Sequence, residues 1–263
     1  MSGDRTITFL LTKLWTCRVM QSVDSVLAIV PARGGSKGLP RKNLRKLGGR
    51  PLVSWPISAA LGAKCVSRVI ISTDDLEIAE AARLVGAEVP FLRPAALASD
   101  DASSMDVVLH AINFFESKGV FFDFVLMLEP TSPLTDSEDV DAAFAMLRSS
   151  GKNADSIVGI SRVEAAHPEY DVRLVEKGFI VPYAAPDFKS LRRRQEIEEL
   201  YFLEGSLYLS RVEAFRKHRS FYHERTLGYP VPRWKSLEVD EHIDFVLIEA
   251  VLERIEQIKL ESK

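Results

Sequence analysis

Cysteine is scarce in this chain: Cys17 and Cys65 are the two among 263 residues. They are not spaced as C-x-x-C and lie in dissimilar contexts, which excludes a disulfide framework and a cysteine metal site and fits a reducing cytoplasm. A long apolar run is missing as well. Residues 7–20 read ITFLLTKLWTCRVM, too short to span a bilayer and broken by Lys13 and Arg18. They also lack the uninterrupted core and small-residue cleavage site of a secretory signal. Residues 1–24 are therefore expected to be a disordered leader or a start extension, with Met20 as an alternative start, and no membrane partner is expected. Positive charge is not in excess. A formal net charge of −3 argues against a general nucleic-acid binder. The histidines (His110, His167, His218, His223 and His242) share no spacing, so no general base stands out. Two familiar phosphate-binding motifs are absent too. Gly38 is followed by Leu39 and Pro40 rather than Lys and Ser/Thr, and no strand-to-helix turn supplies G-x-G-x-x-G.

What is present is concentrated near the start, where residues 26–51 read VLAIVPARGGSKGLPRKNLRKLGGRP. An apolar run ends at Pro31. Gly34, Gly35 and Gly38 follow, together with Arg33, Lys37, Arg41, Lys42, Arg45 and Lys46, and Pro51 opens a helix-like segment over residues 52–61. Glycines let backbone N–H groups approach an anion, and the cations neutralise it. In a chain that is acidic overall, this local excess predicts a polyphosphate site.

Further along, residues 68–73, 87–92, 122–128 and 155–161 read as strands. Residues 76–85, 106–117 and 140–147 read as helices, with Asp74 or Asp75 capping the first and Thr135, Asp136 or Ser137 the last. Strand–helix units in succession predict a doubly wound α/β sheet, with the ligand beyond the strand carboxyl ends. The pattern breaks over about 162–199, which reads as an insertion. It resumes with a strand at 202–209, a helix at 211–218, an edge piece at 227–232 and a helix at 243–258. Glu238 and Asp240 would share one side of an extended segment, where two carboxylates can hold a hard cation such as Mg2+. The rival reading is that Asp240 caps the last helix.

Taken in order, ARGGSKGLPRKNL, R-P-x-x-L-A-x-D-x-x-S-S at residues 93–104, E-P-T-S-P-L at 129–134, E-G-S-L-Y-L at 204–209 and E-V-D at 238–240 resemble the acylneuraminate cytidylyltransferase family, from about residue 26 to the last helix. The resemblance implies a three-layer, mostly parallel Rossmann-like nucleotidyltransferase sheet over residues 25–263, with a dimerisation insertion at about 162–199. It implies transfer of CMP from CTP to the anomeric hydroxyl of an acidic 2-keto sugar (a sialic, legionaminic or related nonulosonic acid), with release of pyrophosphate. Related alternatives are GTP or an eight-carbon ulosonate as substrate, or a catalytically silent nucleotide-binding homologue. Carried over by motif, Arg33, Lys37 and Lys42 would be catalytic. Ala32, Gly34, Gly35, Ser36, Asn43, Arg93, Ala102 and Ser104 would bind nucleotide. Glu129, Thr131, Ser132, Arg194, Gln195, Glu204 and Gly205 would meet the sugar, and Asp240 and Glu238 would hold Mg2+, or Mn2+. A cytoplasmic homodimer is implied. The chain departs from the family pattern at Glu129, Glu204 and Glu238, where Gln, Asn and Asp are usual, and it has no lysine shortly after His167-Pro168.

Overall fold

The structure is a computed structural model that describes residues 24–35, 38–99, 101–164 and 166–261. The expected leader lies almost wholly outside the described residues, as do Ser36 and Lys37 of the glycine-rich loop.

The chain opens with β1 (Val26–Pro31), a fully apolar run suited to a strand buried on both faces. After the loop comes a small ribbon, β2 (Lys46–Leu47) and β3 (Arg50–Pro51), then α1 (Ser54–Gly62), β4 (Arg68–Ser72) and α2 (Leu76–Val85). The Asp75 carboxylate caps α2 by accepting from the N–H groups of Glu77 and Ile78. There follow α3 (Ser104–Glu116), β5 (Phe124–Leu128), α4 (Ser137–Ser149) and β6 (Ser156–Arg162). Of the three expected caps for α4, Asp136 takes the role, in a reciprocal box with Asp139. A second ribbon, β7 (Val172–Leu174) with β8 (Ile180–Pro182), occupies the expected insertion. The chain closes with β9 (Tyr201–Arg211), α5 (Val212–His218), β10 (Thr226–Pro230), α6 (His242–Glu253) and α7 (Ile255–Glu261).

The main sheet runs β10-β6-β9-β5-β1-β4. Only β9 is antiparallel to its neighbours; the other pairings are parallel. One face packs under α1, α2 and α4 through Val53, Ile57, Ile78, Val140 and Leu147. The other packs under α3 and α5 through Val108, Ile112, Phe115 and Phe215. A third apolar cluster joins Leu39 and Leu47 of the loop region to Leu134, Val239, Phe245 and Ile248, so the loop is seated on α6.

Three local expectations differ. Residues 87–92 make one bridge, Ile70 to Glu88, and not a full strand, because Pro90 has no N–H to extend the ladder. The last helix breaks at Arg254, whose φ of −119° leaves the helical region. Glu238 and Asp240 lie on a segment outside the described strands. The edge placement of β10, expected from its prolines, is observed.

Candidate active site

The carboxyl ends of β1, β4 and β5 open onto a cleft made of two adjoining cavities. One, of about 220 Å³, is walled by Pro31, Arg33, Arg93, Ser99, Ala102, Ser104 and Glu129. The other, of about 270 Å³, is walled by Pro31, Arg33, Gly38, Lys42, Asn43, Glu129 and Thr131. Pro31, Arg33 and Glu129 belong to both, so the two form one groove over the sheet edge.

The basic half comes first in the chain. The Arg33 guanidinium donates to the Ser99 carbonyl at 3.1 Å. Arg93 is buried; its Nε donates to the Ser72 hydroxyl at 3.1 Å and its Nη2 to the Ser72 carbonyl. Burial pushes Arg93 down to about 10, with Asp74 opposing and Arg33 reinforcing the shift. Two guanidiniums thus share one cavity wall. Asp74 also accepts from the Gly34 N–H at 3.0 Å, which fixes the start of the glycine loop. Buried Asn43 donates to the Arg33 carbonyl at 3.0 Å, so its amide sets the shape of the same loop. At Gly38 an added Cβ would come 3.0 Å from the Asp240 carbonyl, so the loop and the 238–240 segment touch there.

The acidic half faces it. Lys42 donates to the Val239 carbonyl at 2.8 Å and lies 3.5 Å from Asp240 Oδ1. Burial raises Glu129 above the ordinary carboxyl value, while Lys42 and the Thr131 hydroxyl pull it down. Glu238 is pushed up to about 7 by burial and by Glu129, Asp240 and Glu204, against Lys42. Gly205, at φ +77°, lies against Glu238: an added Cβ would fall 2.0 Å from Oε1. The Val239 N–H donates to the Thr131 carbonyl at 2.7 Å and ties this segment to the β5 exit loop. Asp240 does not cap α6. The cap is Glu241, and Asp244 accepts from the N–H groups of Asp240 and Glu241. That leaves the Asp240 carboxylate beside Lys42, which walls the groove.

Among the described residues no three His, Cys, Asp or Glu side chains stand close enough to hold a metal by themselves. The carboxylates of Glu238 and Asp240 are nevertheless hard oxygen donors whose mutual repulsion a divalent cation would relieve. Mg2+ commonly takes one or two carboxylates and completes its shell with phosphates and water, so the pair fits it.

Other sequence candidates stand elsewhere. Ser132 is buried, and its hydroxyl has no partner among the described residues. Arg194 donates to the Glu164 carbonyl and lies 2.8 Å from Glu164 Oε2, at the base of the insertion; neither it nor Gln195 walls the groove. Glu204 is 1% exposed and turns towards Gly159 and Ser206. Its Oε1 accepts from the Ser206 hydroxyl and N–H, and its Oε2 is buried without a partner among the described residues. Three residues near the groove or beneath it escaped sequence reasoning. Asp74 reads as a cap beside Asp75, Lys235 reads as a surface lysine, and nothing local marks Tyr222. The Tyr222 ring lies 6.0 Å from that of Tyr208, and the charges of Glu129 and Glu238 bear on both hydroxyls. Of the histidines, His110 packs edge-on to Phe91 and His167 accepts from the Glu169 N–H, both structural placements.

Burial also raises Glu204, with Asp139 adding to the shift and Ser206 opposing it. In the window above the unfolded value of about 4, the native state keeps a proton that the unfolded chain has released. Stability then falls as pH rises through that window. Glu204→Gln is expected to raise the melting temperature more at pH 8 than at pH 5, measured by calorimetry at both. An equal shift at the two pH values would contradict a raised Glu204.

Comparison with known proteins gives the family and the fold. A family model described as cytidylyltransferase matches residues 27–259. The chain is 35% identical over 230 residues to the CMP-N,N'-diacetyllegionaminic acid synthase of Legionella pneumophila, covering 87% of this chain and 96% of that protein. It is 32% identical over 222 residues to an N-acylneuraminate cytidylyltransferase of Streptococcus agalactiae, covering 84% of this chain and 51% of that one. The solved structure of a CMP:2-keto-3-deoxy-manno-octonic acid synthetase complexed with CTP superposes with a TM-score of 0.62 at 18% identity, over 88% of this chain and 99% of that one, and shares the fold. The chain belongs to the acylneuraminate cytidylyltransferase family.

Proposed function

We propose that this protein transfers CMP from CTP to the anomeric hydroxyl of a nonulosonic acid and releases pyrophosphate. The observation that carries the reading is the division of one groove. Arg33, Arg93 and the glycine loop form an anion-accepting half; Glu129 walls the other half with Lys42, and Asp240 and Glu238 stand behind Lys42 and Glu129, close enough to act on their charges. In this reading the base and ribose lie in the cavity of Arg93, Ala102 and Ser104. The triphosphate lies along the loop with Arg33 and Lys42, and the sugar lies by Glu129, Thr131 and Gly205. Lys37 would add a further cation, though it falls outside the described residues.

Little covalent help is needed from the protein. Alignment of the sugar oxygen with the α-phosphorus and neutralisation of growing charge are sufficient. Asp240 and Glu238 would hold Mg2+, which when bound supplies charge stabilisation to the phosphates and the departing pyrophosphate. Glu129, in place of Gln, selects hydroxyl or ammonium groups on the sugar and turns carboxylates away from that wall. The test is pyrophosphate release with Mg2+, crossing CTP and GTP with a panel of nonulosonic acids and an eight-carbon ulosonate. Release with CTP and a nonulosonate is expected. Release with GTP alone would overturn the base assignment, and no release from folded protein that binds CTP would favour a silent homologue.

The working form we propose is a cytoplasmic homodimer joined through the insertion. The support is the apolar surface of the β7–β8 ribbon, where Leu174 is 76% exposed and Phe179 67% exposed, close to Ile180 and Tyr183. An apolar patch of this kind on a monomer marks an interaction surface. Replacing Leu174 and Phe179 together by Asp is expected to convert a dimer to monomers in sedimentation velocity. An unchanged sedimentation coefficient would remove the ribbon from the interface. For the location, Cys65 is a free, half-buried thiol that suits a reducing compartment supplied with CTP.

A further inference from the structure

Lys235 is 8% exposed, which is unusual for an ammonium group unless it is paired. Its Nζ lies 2.8 Å from Asp136 Oδ2 and 2.5 Å from Asp139 Oδ2. Asp139 is buried too, and its Oδ1 accepts from the Tyr229 hydroxyl at 3.1 Å. Asp136 and Asp139 are the reciprocal cap of α4, immediately after the β5 exit loop that carries Glu129 and Thr131. On the other side, Lys235 begins the segment that carries Glu238 and Asp240. The same segment is bonded to Thr131 through the Val239 N–H and to Lys42 through the Val239 carbonyl. The buried ion cluster and the Val239–Thr131 bond therefore fasten the same two stretches of chain at two points.

We infer that Lys235 is a positioning residue for the metal-holding carboxylates. By locking residues 235–240 to the head of α4, it holds Glu238 and Asp240 opposite the phosphate loop. This rests on the proposed reading of the groove as a CTP and sugar-acid site. Lys235 touches neither substrate nor metal and acts through the segment it anchors. Outer groups that orient metal ligands typically change metal affinity or activity by about 10–100-fold when removed.

Lys235→Met alone leaves Asp136 and Asp139 buried without their cation, so it can fail through instability. A triple variant, Lys235→Met with Asp136→Asn and Asp139→Asn, removes the whole ion cluster and keeps a good helix cap, since Asn caps as well as Asp. Lys235→Arg keeps the charge. The four proteins are compared by thermal melting, by Mn2+ titration followed by electron paramagnetic resonance with CTP and no sugar, and by kcat and KM for CTP.

Lys235→Met and the triple variant are expected to bind Mn2+ about 10–100-fold more weakly and to lose kcat in proportion. KM for CTP should change little, and Lys235→Arg should recover most of the Mn2+ affinity. The triple variant should regain the melting temperature that Lys235→Met loses. A triple variant that melts normally and binds Mn2+ like the wild type would overturn the inference, because a purely structural cluster gives that result. A wild-type protein that neither binds Mn2+ with CTP nor releases pyrophosphate would overturn the functional reading, and this inference with it.

Discussion

Lys42→Met is expected to lower kcat by about 10²–10³-fold, the usual effect of removing one preorganised charge from a transition state that gains negative charge. Lys42 holds two positions at once. It donates to the Val239 carbonyl at 2.8 Å and stands 3.5 Å from Asp240. Its charge also opposes the upward shifts of Glu129 and Glu238. Methionine keeps the length and apolar stem of the side chain but removes the charge. The loss therefore falls on the phosphates and on the balance of the acidic half, not on packing. Stability should fall only modestly: the ion pair with the exposed Asp240 contributes about 0–1 kcal/mol, and the lost bond from the largely buried Lys42 to the Val239 carbonyl about 1 kcal/mol more. Steady-state kinetics beside a thermal melt checks this. A folded Lys42→Met protein with wild-type kcat would remove Lys42 from the catalytic set. A large fall in melting temperature would instead make it a structural lysine.

The parts of this chain legible in its sequence are those fixed by local pattern. Residues 26–30 and 124–128 are continuous apolar runs and form strands inside the sheet, and the short β-branched run at 68–73 forms the largely buried strand at its edge. Asp75 and Asp136 lie just before apolar helices and cap them. The glycine loop and its cations mark a candidate anion site by local pattern alone, and Arg33, Lys42, Arg93, Ala102 and Ser104 wall one groove.

What local pattern could not show was pairing at a distance. Lys235 meets Asp136 and Asp139 across 99 and 96 residues, so its letter reads like any surface lysine. Arg194, placed by motif at the sugar, pairs with Glu164 across 30 residues, because the insertion folds back on its own base. Asp240 had two readings that sequence weighed evenly. The choice depended on Asp244, which occupies the N–H groups at the head of α6 and leaves Asp240 facing Lys42. The strand expected at 87–92 failed on a single missing donor, Pro90.

Gly205→Ala is expected to cost more activity than stability. Gly205 sits at φ +77°, where a side chain costs roughly 1–2 kcal/mol. For a chain of this size that corresponds to a fall of several degrees in melting temperature at most. The added Cβ would also fall 2.0 Å from Glu238 Oε1, so the carboxylate has to move by more than an ångström to clear it. Glu238 is hemmed in by Glu129, Asp240 and Glu204, all of which already raise it, so the displaced carboxylate finds no better partner on that side. A misplacement of about 1 Å at a reacting centre can cost about 10²-fold in rate. The variant should therefore lose kcat by about that factor and bind Mn2+ more weakly in the presence of CTP, while CTP binding without metal is kept. Gly205→Ala combined with Glu238→Asp, which withdraws the carboxylate by one methylene, should recover part of the lost rate. If the double variant is no better than Gly205→Ala alone, backbone strain at position 205, and not crowding of Glu238, sets the requirement for glycine.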